Sequence, residues 1–142
     1  MKRQKRQESY QIDIENLSHE GRGIGHVNGK TVFVMGALPG EKVIVRTVRR
    51  KGRFDEAIVE ELLEASPDRI EPLCKHASVC GGCSMQHMTG HQQIEHKESV
   101  LFELFQHQAG LTPLVRLPPL RSSEWGYRRK ARLGVKYVPK KG

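Results

Sequence analysis

Asn28-Gly29 stands between two runs rich in β-formers, Gly25-His26-Val27 and Lys30-Thr31-Val32-Phe33-Val34. Both central residues of a type I′ turn take positive φ, which Asn and Gly tolerate best, so this dipeptide commits the surrounding chain to a β-hairpin. The flanking segments agree with it. Gln11-Ile12-Asp13-Ile14-Glu15 alternates with period two, Pro39-Gly40 marks a turn before residues 41–48, and the basic corner RRKGR leads into a last run over 56–62. Five short strands with glycine turns and no helical period predict a mainly β, closed or nearly closed barrel of the OB type over residues 10–65. Gly21-Arg22-Gly23-Ile24-Gly25 lacks the dinucleotide spacing and no helical pattern follows it. Its glycines are read as permitting a tight bend that helps to close the barrel.

After Ser66-Pro67 the pattern changes. Residues 66–88 show no periodicity and hold all three cysteines, so this is a cysteine-rich loop whose order comes from something other than an apolar core. Thr89 then opens a helix over 89–110, with Ile94, Leu101, Leu104 and Phe105 near a 3.6-residue spacing, Val100 alongside and Gly110 as the stop. Packing on a core accounts for that apolar stripe. Pro113, Pro118 and Pro119 make an extended connector. In WGYRRKARLGVKYV, Tyr127, Ala131, Leu133, Val135 and Tyr137 fall on one face, and Arg128, Lys130, Arg132 and Lys136 on the other. Residues 111–142 are thus expected to be a connector and the first strand of an incomplete α+β domain, with its sheet partners beyond Gly142.

The net charge is +8, and it gathers at the two ends. Lys2, Arg3, Lys5 and Arg6 form a basic tail over 1–9, and residues 125–142 carry seven cations with no acid. Aromatic residues interleave with the second run, which favours polyanion binding, with Trp125 and Tyr127 as candidate stacking partners. A third basic feature is the corner formed by Arg46, Arg49, Arg50, Lys51 and Arg53. A membrane span is not expected, because the uncharged run 31–40 is about half the ~20 residues required. No apolar segment follows the charged start, so a secretory signal is not expected either and the cytoplasm is the default compartment.

In a reducing compartment, three thiols within ten residues point to metal or redox chemistry and not to a disulfide framework. The pattern is Cys74-x5-Cys80-Gly81-Gly82-Cys83-x2-Gln86-His87. A Cys-x2-Cys redox pair would follow a strand and open a helix, and it leaves Cys74 unexplained. Zinc could take the three thiolates with His87 as fourth ligand, and His76, His91 and His96 are also near in sequence. An iron–sulfur cluster asks for three cysteines on one loop and a fourth from elsewhere. Gly81-Gly82 suits that need, since residues without Cβ let the backbone approach a bulky group. The spacing leans toward iron–sulfur and leaves zinc open.

The cysteine motif, preceded by strands containing SHEGRGIG and followed by WGYRRKARL, resembles the bacterial 23S ribosomal RNA uracil-5-methyltransferases of the RlmD (RumA) type. The resemblance runs over nearly the whole chain. It implies an RNA-binding TRAM barrel, then a 4Fe–4S cluster held by Cys74, Cys80 and Cys83 with a fourth cysteine expected beyond Gly142. It also implies a separate catalytic domain that binds S-adenosylmethionine, so no catalytic residue is expected in this chain. In such enzymes a cysteine thiolate attacks C6 of uracil, which makes C5 nucleophilic toward the methyl group. The implied partner is 23S ribosomal RNA, the chain is expected to be a monomer, and by the charge pattern Arg46, Arg49, Arg50, Lys51, Arg53, Arg128, Lys130, Arg132 and Lys136 are expected to grip the RNA backbone.

Overall fold

The computed structural model describes residues 9–132, 134, 135 and 137. Residues up to Thr112 form one compact unit and those from Pro113 a second. The first unit is built on six strands: β1 (Ser9–Asp13), β2 (Asn16–Leu17), β3 (Gly23–Val27), β4 (Lys30–Met35), β5 (Lys42–Arg50) and β6 (Phe54–Glu64). They lie in the order β1-β5-β6-β4-β3-β2. All neighbours are antiparallel except β4 and β6, which are parallel.

The period-two pattern explains the core. Ile12 and Ile14, Val32 and Val34, and Val43 and Val45 each alternate with more exposed neighbours, and they meet Ala37 and Ala57 in one buried cluster. The hairpin forms as expected, with Asn28 at φ 51° and Gly29 at φ 75° between Val27 and Lys30. The sheet curls until the segment after β1 meets β3, where the Glu15 N–H donates to the Ile24 carbonyl at 2.8 Å. Gly25 makes this approach possible, because a Cβ there would stand 2.5 Å from the Asp13 carbonyl oxygen. Period reading predicted five strands. The sixth, β2, is two residues long and too short for any periodicity to reveal.

Two helices follow the sheet, α1 (Ala77–Cys80) and α2 (Gly90–Ala109). α2 lies between Thr89 and Gly110, which cap its two ends. The Thr89 hydroxyl accepts from the Gln92 N–H, and Gly110 at φ 63° lets its own N–H and that of Leu111 reach the Gln106 and Phe105 carbonyls. The expected packing of its stripe is incomplete, with Ile94 and Val100 only partly buried. No residue of α2 is buried, and Leu101, Leu104 and Phe105 are exposed. Polar groups in its first half hold the helix instead. Gln93 donates to the Met85 and Met88 carbonyls, and His96 Nε2 lies 3.0 Å from the Ser18 carbonyl oxygen of the barrel.

The expected strand from Tyr127 is also absent: among the described residues no strand follows Glu64. Alternation gives a segment two chemically distinct faces, but a strand exists only through ladder hydrogen bonds to a neighbour. Leu133 and Lys136 lie outside the described residues. Trp125 and Tyr127 are exposed, and the Arg128 guanidinium sits 5.7 Å from the centre of the Tyr127 ring. No helix among the described residues is long and apolar enough to cross a membrane.

Candidate metal loop and nucleic-acid interface

A buried carboxylate anchors the cysteine-rich loop to the barrel. Glu41 follows the Pro39-Gly40 turn, and its side chain is 0% exposed. One oxygen accepts from the Leu38 N–H at 2.8 Å and from Arg69 Nη2 at 2.8 Å, and the other from the Ser66 N–H at 3.2 Å and Arg69 Nε at 2.5 Å. Arg69 also donates to the Gly36 carbonyl at 2.7 Å. Burial by itself would raise the Glu41 pKa; the Arg69 and backbone hydrogen bonds outweigh it and hold the carboxyl below 4.5. Arg69 in turn bridges to Met88, and the Ile70 N–H donates to the His87 carbonyl at 3.0 Å. Both ends of the loop are therefore tied to each other and to the turn before β5. Met85 completes the contact by filling the space over Gly21, where a Cβ would be 2.6 Å from Met85 Cγ.

Within this frame the three thiols differ. Cys74 is half-buried, and its N–H donates to Gln86 Oε1 at 3.3 Å; Cys80 and Cys83 are exposed. α1 ends at Gly81 with φ 67°, a conformation that releases the chain toward Cys83. A Cβ at Gly82 would lie 3.4 Å from Cys80 Sγ, so the glycine keeps that side of the sulfur open. The donor types suit a soft metal or a cluster. Their placement does not yet do so, because the described residues contain no group of three or more Cys, His, Asp or Glu side chains placed to hold a metal. His87, within the loop, is buried, and its Nε2 lacks a hydrogen-bond partner in the structure. Burial and then the charge of Arg69 push its pKa down. The imidazole is thus enclosed while two of the thiols face solvent.

The basic corner is the tip of the β5–β6 hairpin. Arg49, Arg50 and Arg53 are exposed there and make no ion pair with the acids of the described residues, while Lys51 Nζ lies 5.0 Å over the Phe54 ring. Arg46 behaves differently. Its Nε donates to Glu60 at 2.7 Å, and Glu60 also accepts from the Ser9 hydroxyl; these two bonds, that from Ser9 first, lower the Glu60 pKa. Charge compensation therefore sets Arg46 apart from the other four. Arg128, Lys130 and Arg132 are exposed in the second unit, and Lys136 lies outside the described residues. Nothing in the sequence pointed to Glu41 and Arg69, which are separated along the chain and carry no motif. Phe33 was also missed, although its alternation with Val32 and Val34 places it on the outer face.

A curled, glycine-turned sheet of this kind is the architecture of a small OB-like barrel, and residues 3–60 match the family model described as the TRAM domain. Over 136 residues, 95% of its length, it is 54% identical to the 23S rRNA (uracil(1939)-C(5))-methyltransferase RlmD of Nitrosococcus oceani. It is 53% identical over 135 residues to the RlmD of Alkalilimnicola ehrlichii, and 51% over 131 residues to that of Bordetella pertussis. The chain spans 28–30% of the length of these relatives.

Proposed function

We propose that the chain is the RNA-recognition and cluster-binding portion of a cytoplasmic, S-adenosylmethionine-dependent methyltransferase that forms 5-methyluridine in 23S ribosomal RNA, at the uracil numbered 1939 in the relatives' name. The observation that carries this reading is similarity that continues beyond the barrel, across the cysteine-rich loop and α2, over 95% of the chain. S-adenosylmethionine would supply the methyl group from another part of the longer protein. This chain's own contribution is to grip RNA and to hold a 4Fe–4S cluster through Cys74, Cys80 and Cys83, with a fourth ligand from outside the 142 residues. The Glu41–Arg69 anchor positions the loop, and Cys74, Cys80 and Cys83, with glycines between the last two, are the residues that would hold the cluster. Methyl transfer moves no electrons through the protein, so a cluster held by these cysteines would act as a structural clamp for the loop.

Anaerobic purification tests the cluster. A brown protein with broad absorption near ~400 nm, containing iron and sulfide that are lost in the triple Cys74→Ser/Cys80→Ser/Cys83→Ser variant, is expected. A colourless protein with one tightly held zinc would replace this reading with that of an RNA-binding protein whose structural zinc uses the three thiolates and His87.

RNA gripping has its own expected result. Replacing Arg49, Arg50 and Arg53 together by Ala should weaken binding of single-stranded RNA of any sequence. It should also flatten the slope of log K against log salt by about 2, since each lost phosphate contact on a single strand removes ~0.7. Fluorescence anisotropy titrations at several salt concentrations measure both. An unchanged slope would make the hairpin tip ordinary solvated surface.

A further inference from the structure

On β4, Val32 and Val34 point into the core, so Thr31 and Phe33 lie on the opposite face. The parallel register with β6 sets Thr31 against Phe54 and Phe33 against Glu56, so Phe33 and Phe54 share that outer face. Their rings meet edge to face, with centroids 5.3 Å apart and planes at 85°. Both remain partly exposed. Alternation calls for polar residues on the solvent side of such a sheet, so two touching aromatic rings there ask for an explanation. They stand at the hairpin end of the barrel, beside Lys51, whose Nζ lies 5.0 Å from the Phe54 centroid, and next to the exposed Arg49, Arg50 and Arg53. The cysteine-rich loop is anchored at the other end of the same strands, at Gly36 and Glu41. The neighbouring acids Asp55 and Glu56 are already engaged by Lys30 at 2.6 Å and Arg22 at 3.8 Å.

Aromatic surface bordered by uncompensated cations matches one ligand chemistry: unpaired bases joined by phosphates. We infer that Phe33 and Phe54 form a stacking platform for one or two bases of a single-stranded RNA segment, whose phosphates are taken by Lys51 and the hairpin arginines. The platform rests on the RNA-binding reading above and adds to it where on the barrel a base is held. In the free protein Lys51 covers the Phe54 ring; a bound strand draws its ammonium to a phosphate and opens the ring to a base.

The test compares two probes of equal length and charge, an oligouridine and an abasic oligonucleotide, titrated against the full chain at low salt. Phe33→Leu and Phe54→Leu keep apolar volume but remove the aromatic ring, and each should weaken oligouridine binding about tenfold, the lower part of the range for one stacked base. Neither should change abasic binding. Phe33→Trp, which restores an aromatic face, should recover oligouridine affinity, and Arg49→Ala should weaken both probes alike. Melting temperatures of the Leu variants within a few degrees of the parent show that the barrel is intact. Equal losses on both probes, or no loss on either, would overturn the platform while leaving RNA binding in place. A parent chain that binds neither probe loses the RNA reading itself, and the platform with it.

Discussion

Glu41→Gln is expected to lower the melting temperature by roughly 10 °C, corresponding to about 3 kcal/mol for a chain of this size. The parent carboxylate is fully buried and accepts four hydrogen bonds, two of them from Arg69. Glutamine keeps the shape but replaces one acceptor by an amide NH2, which then faces the donors it should receive. Removing one member of a buried ion pair costs ~3–5 kcal/mol because the other charge stays behind uncompensated. Arg69 is 21% exposed, and water reaching it places the cost at the lower end of that range. The same group predicts a pH dependence. Its pKa is lowered in the folded chain relative to 4.5, so the unfolded chain binds the proton more readily as acidity rises. The stabilisation is complete above pH 4.5 and is lost as pH falls through the lower folded value. Melting curves of the parent should therefore approach those of Glu41→Gln as the pH drops below 4.5. Two curves that stay parallel down to acid would mean that Glu41 does not supply the anchor. Because the anchor joins the turn before β5 to Ser66 and Arg69, the variant should also admit protease within 66–88 under conditions where the parent resists.

Gly25→Ala is the second substitution with a large expected effect. The added Cβ would lie 2.5 Å from the Asp13 carbonyl oxygen and 2.8 Å from Ile12 Cδ1, closer than real Cβ contacts allow. The first obstacle is backbone, so relief requires β1 and β3 to separate along the seam that nearly closes the barrel. Overpacking of this kind costs about 2–3 kcal/mol. Gly29→Ala is an informative control, since nothing stands within 4 Å of its Cβ and only its φ of 75° is unfavourable; about 1 kcal/mol is expected there. Urea unfolding measures both, with a lower midpoint and an unchanged slope as the expected form. If the two variants lost equal stability, close approach at Gly25 would not be what the glycine is for.

Local patterns were read correctly where a few neighbouring residues determine the conformation. Asn28-Gly29 specifies its turn through φ, and the alternating valines and isoleucines of β1, β4 and β5 specify which side is core. Thr89 and Gly110 bound α2 by satisfying its terminal hydrogen-bonding groups. The stripe of α2 and the alternation from Tyr127 were legible as patterns, and a pattern is not yet a packed element. Periodicity says which residues share a face and not whether anything covers it: no residue of α2 is fully buried, and among the described residues no strand follows Glu64.

The sequence by itself determined five of the six strands, the hairpin, the long helix and the gathering of three cysteines on one loop, all properties of contiguous residues. Tertiary structure decided that β4 runs parallel to β6, which brings Phe33 and Phe54 into contact. It also decided that Arg46 is neutralised by Glu60 while Arg49, Arg50 and Arg53 stay exposed, and that Glu41 and Arg69, 28 residues apart, fasten the cysteine-rich loop to the barrel. The reason is physical: backbone conformation depends on near neighbours, whereas burial and charge compensation depend on which distant residues the closing sheet delivers to the same place.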